Sequence, residues 1–487
     1  MGYELSEYTG LDISVTMTDD IHRLLESHFD MGPHQEDLTF AYWRPSVGRA
    51  RFTGVLGELA LPGPGERILQ GNVAFESQYL LRVLRERPAG CGIALLHSHL
   101  GPGWQGMSED DVVAERDRMG GAVAAGSGLP VLGLTYGTDG SWSARIWCRK
   151  GPSEYVRIWA NSVRVVGRRL AVTWSPFVGD APVSASAQAA TLSVWGDAVQ
   201  GDLARVHIGV VGLGSVGSIV CEALARIGVS RVTFIDHDVI EVRNLDRTMG
   251  ATQEDAKESR WKVEVAERSF KAAATATSHS VCAVSNSLLT EEGLEAALAC
   301  DVLFSCVDRP LPRHVLNVLS YGHLIPVVDG GILAKVDEDG HLLHVDWRIH
   351  SIGPGRRCLV CSGALLRSDV ALDRDGRLDD PDYVANLSET DRERYSRRNV
   401  FPFSLSVAAH ETLHLVALLG GGQRVGGIGP QMYHAYPGRM DVVEDGACES
   451  DCEYSALLAT APSADQVGVL RSHALADGYG GPTAPLR

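Results

Sequence analysis

Residues 206–228 read VHIGVVGLGSVGSIVCEALARIG. A Val/Ile-rich run ends at Val211, three glycines follow as G-x-G-x-x-G (Gly212, Gly214, Gly217), and an amphipathic helical pattern begins at once. Strand, glycine turn and helix in that order give the motif its meaning. The glycines let backbone approach phosphates, and the helix start offers N–H donors and the positive end of its dipole. The next β-branched run, RVTFID, ends at Asp236, roughly 20 residues on, where a carboxylate can hold ribose hydroxyls. Further outward, DVLFSCVD (301–308) and LIPVVDGG (324–331) alternate with helical patterns. This alternation predicts an α/β, Rossmann-like domain over 203–460, its parallel sheet covered on both faces.

The chain has 487 residues, more than one ordinary domain holds. Hydrophobic residues make up 45% and charged residues 22%, a balance that supports buried cores. Residues 11–150 read as a smaller α/β domain, with a helix in ESQYLLRVLRER (76–87) and strands in GCGIALLHSH, PVLGLTYG and SWSARIWC. The Pro-, Ser-, Ala- and Gly-rich stretch at 176–202 is expected to be a linker, and 461–487 a C-terminal tail. No apolar run reaches the roughly 18 residues of a membrane helix. The start, MGYELSEYTGLDISV, lacks a basic region followed by an apolar stretch. Against 44 Lys and Arg stand 61 Asp and Glu, a net charge of −17, which argues against nucleic acid as a partner. Ten cysteines without the spacing of a disulfide framework point to reduced thiols and the cytoplasm.

Two further constellations carry chemistry. Cys358 and Cys361 form C-x-x-C in RRCLVCSG; Cys448 and Cys452 form C-x-x-x-C in GACESDCEY. Two chelating pairs can close a tetrahedral thiolate site for a structural Zn²⁺. The run HSHLGPGWQGMSEDDVVAE (97–115) places His97 and His99 at a strand end, both side chains on one face, with Ser108 positioned to cap the next helix. Two imidazoles and a carboxylate with an open fourth position make a catalytic Zn²⁺ site. Asp110 and Asp111 both offer that carboxylate, and the S-x-x-D spacing favours Asp111.

After Asp236 come HDVIEVRNLDRTMG (237–250), SRWKVEVAER (259–268), SCVDRPLPRHVLN (305–317) and PVVDGG (326–331). This order resembles the ThiF/MoeB family of ubiquitin-activating-type adenylyltransferases. The resemblance implies an ATP site of Gly212, Gly214, Gly217, Asp236, Asn244, Arg247, Lys262 and Asp308, the last followed by Arg313. Arg247 and Lys262 suit the charge that develops when a carboxylate attacks the α-phosphate and expels pyrophosphate, and Asp308 suits Mg²⁺. Zinc near the two cysteine pairs and a homodimer are also implied. Residues 362–447 contain no cysteine, so the reaction is expected to stop at the acyl-adenylate or pass it to an external nucleophile. Cys306 is not expected to be that nucleophile.

The H-x-H, S-x-x-D pattern resembles the JAMM/JAB metallopeptidases, whose fold is cytidine-deaminase-like, over residues 11–150. Leu100 stands where that family has Pro, and the loop before Ser108 is one residue longer. The resemblance implies His97, His99 and Asp111 as zinc ligands, Ser108 as oxyanion donor and an upstream Glu as base. Glu58, in the strand-like FTGVLGELALP, is preferred over Glu66, which follows a Pro-Gly turn. Together the two resemblances imply an enzyme that adenylylates the C-terminus of a ubiquitin-like or sulfur-carrier protein and processes the same protein or its conjugates. A peptide-modifying adenylyltransferase, and sulfur-carrier activation for cofactor or cysteine synthesis, are the alternatives.

Overall fold

The computed structural model describes residues 2–468 except 33, 338, 389–391, 393–397, 421–427 and 444–445. Most of the expected tail, from 469 on, lies outside the described residues. The chain divides into two compact units: residues 1–180 with 322–324 and 457–461, and the remainder.

The first unit is built on a nine-stranded mixed sheet, ordered β11-β10-β1-β3-β2-β6-β7-β8-β9. Its strands are β1 (Asp12–Thr18), β2 (Leu38–Gly48), β3 (Arg51–Ala60), β6 (Gly92–Ser98), β7 (Val131–Tyr136), β8 (Trp142–Gly151), β9 (Glu154–Trp159), β10 (Ser162–Val166) and β11 (Leu170–Trp174). A separate hairpin joins β4 (Arg67–Gln70) and β5 (Asn72–Phe75). Helices α1 (Asp19–Phe29) and α2 (Ser77–Glu86) turn apolar residues inward. All of β6 and β7 is buried, which is why their sequences read as continuous apolar runs rather than alternating ones. Trp43, Phe52 and Trp142 fill the core on one side of this sheet, and Phe40, Tyr79 and Ile93 pack in a second cluster. The sheet runs on past residue 150, because EYVRIW, SVRVV and LAVTW each pair with a neighbouring strand.

The second unit holds an eight-stranded sheet, ordered β14-β13-β12-β15-β16-β17-β18-β19. Its strands are β12 (His207–Val211), β13 (Arg231–Ile235), β14 (Ser280–Val284), β15 (Val302–Ser305), β16 (Val327–Val336), β17 (Leu342–Ile352), β18 (Gln431–His434) and β19 (Arg439–Val442). The first five are parallel, in the doubly wound order with its switch point between β12 and β15. Strands β17 to β19 extend the sheet antiparallel. Helix α3 (Ala189–Arg205), kinked at Gly196, fills the second half of the segment expected to be a linker. Past Pro182 that text has helix-forming Ala, Leu and Gln, so Pro and Ser content described only its first half. Helices α4 (Ser215–Arg226), α5 (Lys262–Ala273), α6 (Pro310–Gly322) and α7 (Phe401–Leu418) complete the elements used below. Among the described residues no helix is long and apolar enough to cross a membrane.

Candidate functional sites

At the switch point, β12 delivers the chain into the glycine turn. Gly212 has φ +88°, and a Cβ there would lie 2.6 Å from the Cys306 carbonyl oxygen. A Cβ on Gly217 would lie 1.9 Å from the Gly212 carbonyl oxygen, so α4 can pack onto the turn only through glycine. Gly214 differs: a Cβ there would meet nothing within 4 Å. Its openness is not needed for packing, and it fits the close approach of a phosphate.

Asp236 follows β13 and is 8% exposed. Its Oδ2 accepts from the Leu213 N–H at 2.5 Å and its Oδ1 from the Asp238 N–H at 2.8 Å, so the carboxylate is braced against the turn. Burial pushes its pKa up, against the nearby charge of Lys262. Lys262 opens α5 and donates to Asp238 Oδ2 at 2.6 Å. Burial alone would push this ammonium down, but Asp236, Asp238 and Asp308 together hold it above the ordinary lysine value. Asp236, Lys262 and Asp308 therefore share one electrostatic neighbourhood, with Asp238 as a fourth member that the motif reading did not single out. Asn244 braces its own loop by accepting from the Glu241 N–H at 2.9 Å. Arg247 donates to the Arg243 carbonyl and to Asp246, both at 2.8 Å, within the same loop. Asp308 is exposed two residues beyond Cys306, whose buried thiol is pushed well above the usual range, as suits a packing residue.

The four cysteines expected to bind zinc come together. Their sulfurs lie within 4.8 Å of one another, and Cys358 Sγ is 3.7 Å from Cys452 Sγ. Four sulfurs about 2.3 Å from a central ion have tetrahedral edges of about 3.8 Å, so the donor set fits zinc. The Cys358 N–H donates to Cys448 Sγ at 3.1 Å and the Cys361 N–H to Cys358 Sγ at 3.3 Å, bonds that favour thiolate over thiol.

In the first unit, His97 lies one residue before the end of β6, and His99 follows just beyond it on the same face. The two Nε2 atoms are 3.2 Å apart, and each lies 3.3 Å from an oxygen of Asp111. Three donors each about 2.0–2.1 Å from one ion stand about 3.3 Å apart at tetrahedral angles, so this set also fits zinc. Burial disfavours charge on Asp111, but hydrogen bonds from both histidines outweigh it and hold the carboxyl well below the usual range. A capping box fixes the aspartate: Ser108 Oγ accepts from the Asp111 N–H at 3.1 Å, and Asp111 Oδ2 from the Ser108 N–H at 2.7 Å. Asp111, rather than Asp110, is therefore the carboxylate beside the histidines.

The preferred upstream glutamate is corrected. Glu58 is exposed on β3, and its charge acts on Tyr42 and Cys91. Tyr42 pairs with Ile93 whereas His97 pairs with Leu38, so Glu58 sits toward the far end of β6, about 13 Å along the strand direction. Glu66 is held by Arg82 at 2.7 Å. Glu36 is the glutamate at the histidine end. It precedes β2, and burial raises its pKa while His99 and His97 oppose the rise. Its neighbour Asp37 is bonded to Ser98, between the two histidines. Its position follows from the fold: Glu36 stands two residues before the run that pairs with GIALLHS.

Residues 185–376 match the ThiF family. Ubiquitin-like modifier-activating enzyme 5 of Drosophila willistoni is 26% identical over 170 residues, covering 33% of this chain and 39% of that protein. Molybdopterin-synthase adenylyltransferase of Escherichia coli K12 is 30% identical over 158 residues, covering 32% of this chain and 58% of that protein. The chain thus spans under two thirds of the curated relatives it matches. Among solved structures, E. coli MccB with ATP aligns with a TM-score of 0.41 and 16% identity, over 56% of this chain and 75% of that one. The second unit of this chain carries a ThiF-family domain, homologous to ubiquitin-like activating enzymes and to molybdopterin-synthase adenylyltransferase.

Proposed function

We propose that the second unit adenylylates the C-terminal carboxylate of a ubiquitin-like or sulfur-carrier protein. The carboxylate oxygen attacks the α-phosphorus of ATP, the bond to the bridging oxygen breaks, and pyrophosphate leaves. The observation that carries this reading is the open Gly214 turn, with Asp236 braced against it and Lys262 beside them. Backbone N–H groups of the turn hold phosphate, Asp236 receives ribose hydroxyls, Lys262 and Arg247 meet the developing charge, and Asp308 suits Mg²⁺. The names of the relatives support the partner class. The test is ATP–pyrophosphate exchange by the full chain with the species it captures from its host. Exchange that falls at least about 100-fold in Lys262→Ala supports the reading. Adenylylation of a short peptide instead would favour a peptide-modifying enzyme, and thiocarboxylate formation a sulfur-transfer role.

A second activity rests on the 3.2–3.3 Å spacing of His97, His99 and Asp111. The reading is a JAMM-type metallopeptidase acting on the same protein or its conjugates. Zinc, when bound by these three residues, supplies a Lewis acid beside the scissile carbonyl. Glu36 accepts a proton from the attacking water and returns it to the leaving amine. Ser108 Oγ uses a lone pair to cap the helix, which leaves its proton available to an oxyanion. The test is a His97→Ala chain used as ATP-dependent bait. Loss of every precursor-processing and deconjugating activity supports the reading, and unchanged processing sinks it. A homodimer, implied by the ThiF resemblance, is checked by sedimentation.

A further inference from the structure

Beyond the phosphate turn, the same edge of the second sheet carries Arg313, which closes the D-x-x-x-x-R setting begun by Asp308, and Arg348, which no motif assigned. Asp329 on β16 is fully buried; it accepts from Ser305 Oγ at 2.6 Å and from Arg348 at 2.7 Å, and pairs ionically with Arg313 at 3.3 Å. Arg313 also donates to the Gly330 carbonyl at 2.9 Å, and Arg348 to the Ala364 carbonyl at 3.4 Å. Both guanidinium side chains remain 17% exposed. Glu411 on α7 is buried beside them: its Oε1 has no hydrogen-bond partner among the described residues, its Oε2 accepts from the Cys306 thiol at 3.9 Å, and it feels the charge of both arginines. A buried carboxyl without an ion pair is held neutral by desolvation. Two guanidiniums thus share one hydrogen-bonded carboxylate, Asp329, while the second carboxyl beside them is disfavoured as an anion by burial.

The two arginines meet at one glycine. A Cβ on Gly331 would stand 3.3 Å from Arg348 Nε and 3.4 Å from an Nη2 of each arginine, so the two guanidiniums converge on the space above this glycine. Strand register sets its position. Val211 is level with Ser305, Ser305 with Asp329, and Gly331 with Arg348. Gly331 thus lies beyond the carboxyl ends of the parallel strands, as the glycine turn does, two strand spacings or about 10 Å from it. An anion held there is within reach of a phosphate chain seated on the turn.

We propose that Arg313 and Arg348, converging over Gly331 and anchored by Asp329, bind the carboxylate of the acyl substrate and present it to the nucleotide. This rests on the adenylylation reading and names the residues that recognise its second substrate. Planar guanidinium forks match a carboxylate, and the glycine keeps a side chain out from under them.

The experiment uses the full chain saturated with α,β-methylene-ATP, which fills the phosphate site without reacting. Glycylglycine, the smallest chain-terminal carboxylate with a peptide bond behind it, is titrated against glycylglycinamide by calorimetry. The free acid is expected to bind and the amide not. Arg348→Gln is expected to weaken the acid at least about tenfold while the nucleotide analogue still binds. Gly331→Ala keeps both charges, puts a methyl between them and is expected to do the same. Equal binding of acid and amide, no binding of the acid, or unchanged binding in both variants overturns the proposal while leaving adenylylation standing. Failure of the unmodified chain to bind the nucleotide analogue overturns both.

Discussion

Glu36 stands by the histidines because β2 runs antiparallel to β6 with Leu38 opposite His97. That placement depends on a cross-strand register, which no local spacing reveals; Glu58, in a strand-like run of the right kind, was the nearer choice in sequence. Asp111 was legible because its geometry is local: a capping box ties Ser108 to the third residue beyond it. Glu36→Gln is expected to lower the proposed peptidase activity at least about 100-fold with metal content unchanged. Glu58→Gln is expected to match the unmodified chain. Cleavage assays on captured conjugates, with metal analysis, read both. A fully active Glu36→Gln chain would move the base elsewhere. In the second unit, Gly212, Gly217, Asp236 and Lys262 could be placed from sequence because each sits at a strand end or helix start. Asp238, Asp329 and Arg348 could not, since their roles appear only when non-adjacent segments meet.

At the scale of elements, the parallel strands and their helices were readable from apolar runs alternating with helical periods. The antiparallel extension β17 to β19 and the kinked α3 were not, because neither follows that period. The packing of β17 against α7 has a pH signature. His350 on β17 and His414 on α7 are each 2% exposed, and burial pushes their pKa values down to about 3 and about 4. Ser351 Oγ lies 2.9 Å from His414 Nδ1. Both rings are neutral when folded but bind protons below about 6.5 when unfolded. The unfolded state therefore takes up more protons as pH falls, and their contribution is intact above about 6.5 and lost progressively toward pH 4. Unfolding at pH 7.5 and 5.0 is expected to differ by about 2 kcal/mol or more from this pair. His414→Asn is expected to flatten that dependence, and an unchanged slope would count against it.

On the scale of the whole molecule, two clusters of candidate site residues in one chain were legible because each depends on a compact motif. The residues that link the motifs to their surroundings were less so, as the helical half of 176–202 shows. Two donor sets fit zinc, so metal analysis is expected to give two equivalents per chain. Cys358→Ser is expected to lose one of them and lower the melting temperature, while His97→Ala loses the other with little change in melting. The opposite pattern would mean that the histidine site, not the cysteine site, holds structure together.

The cysteine cluster brings Cys358 within 3.7 Å of Cys452, two residues far apart along the chain. With zinc in place this is a removable cross-link that closes a long loop. A protease cut inside that loop would sever the polypeptide without separating its pieces. The nicked pieces would travel together through a sizing column, held both by zinc and by the pairing of β17 with β18, and a chelator would remove only the first hold.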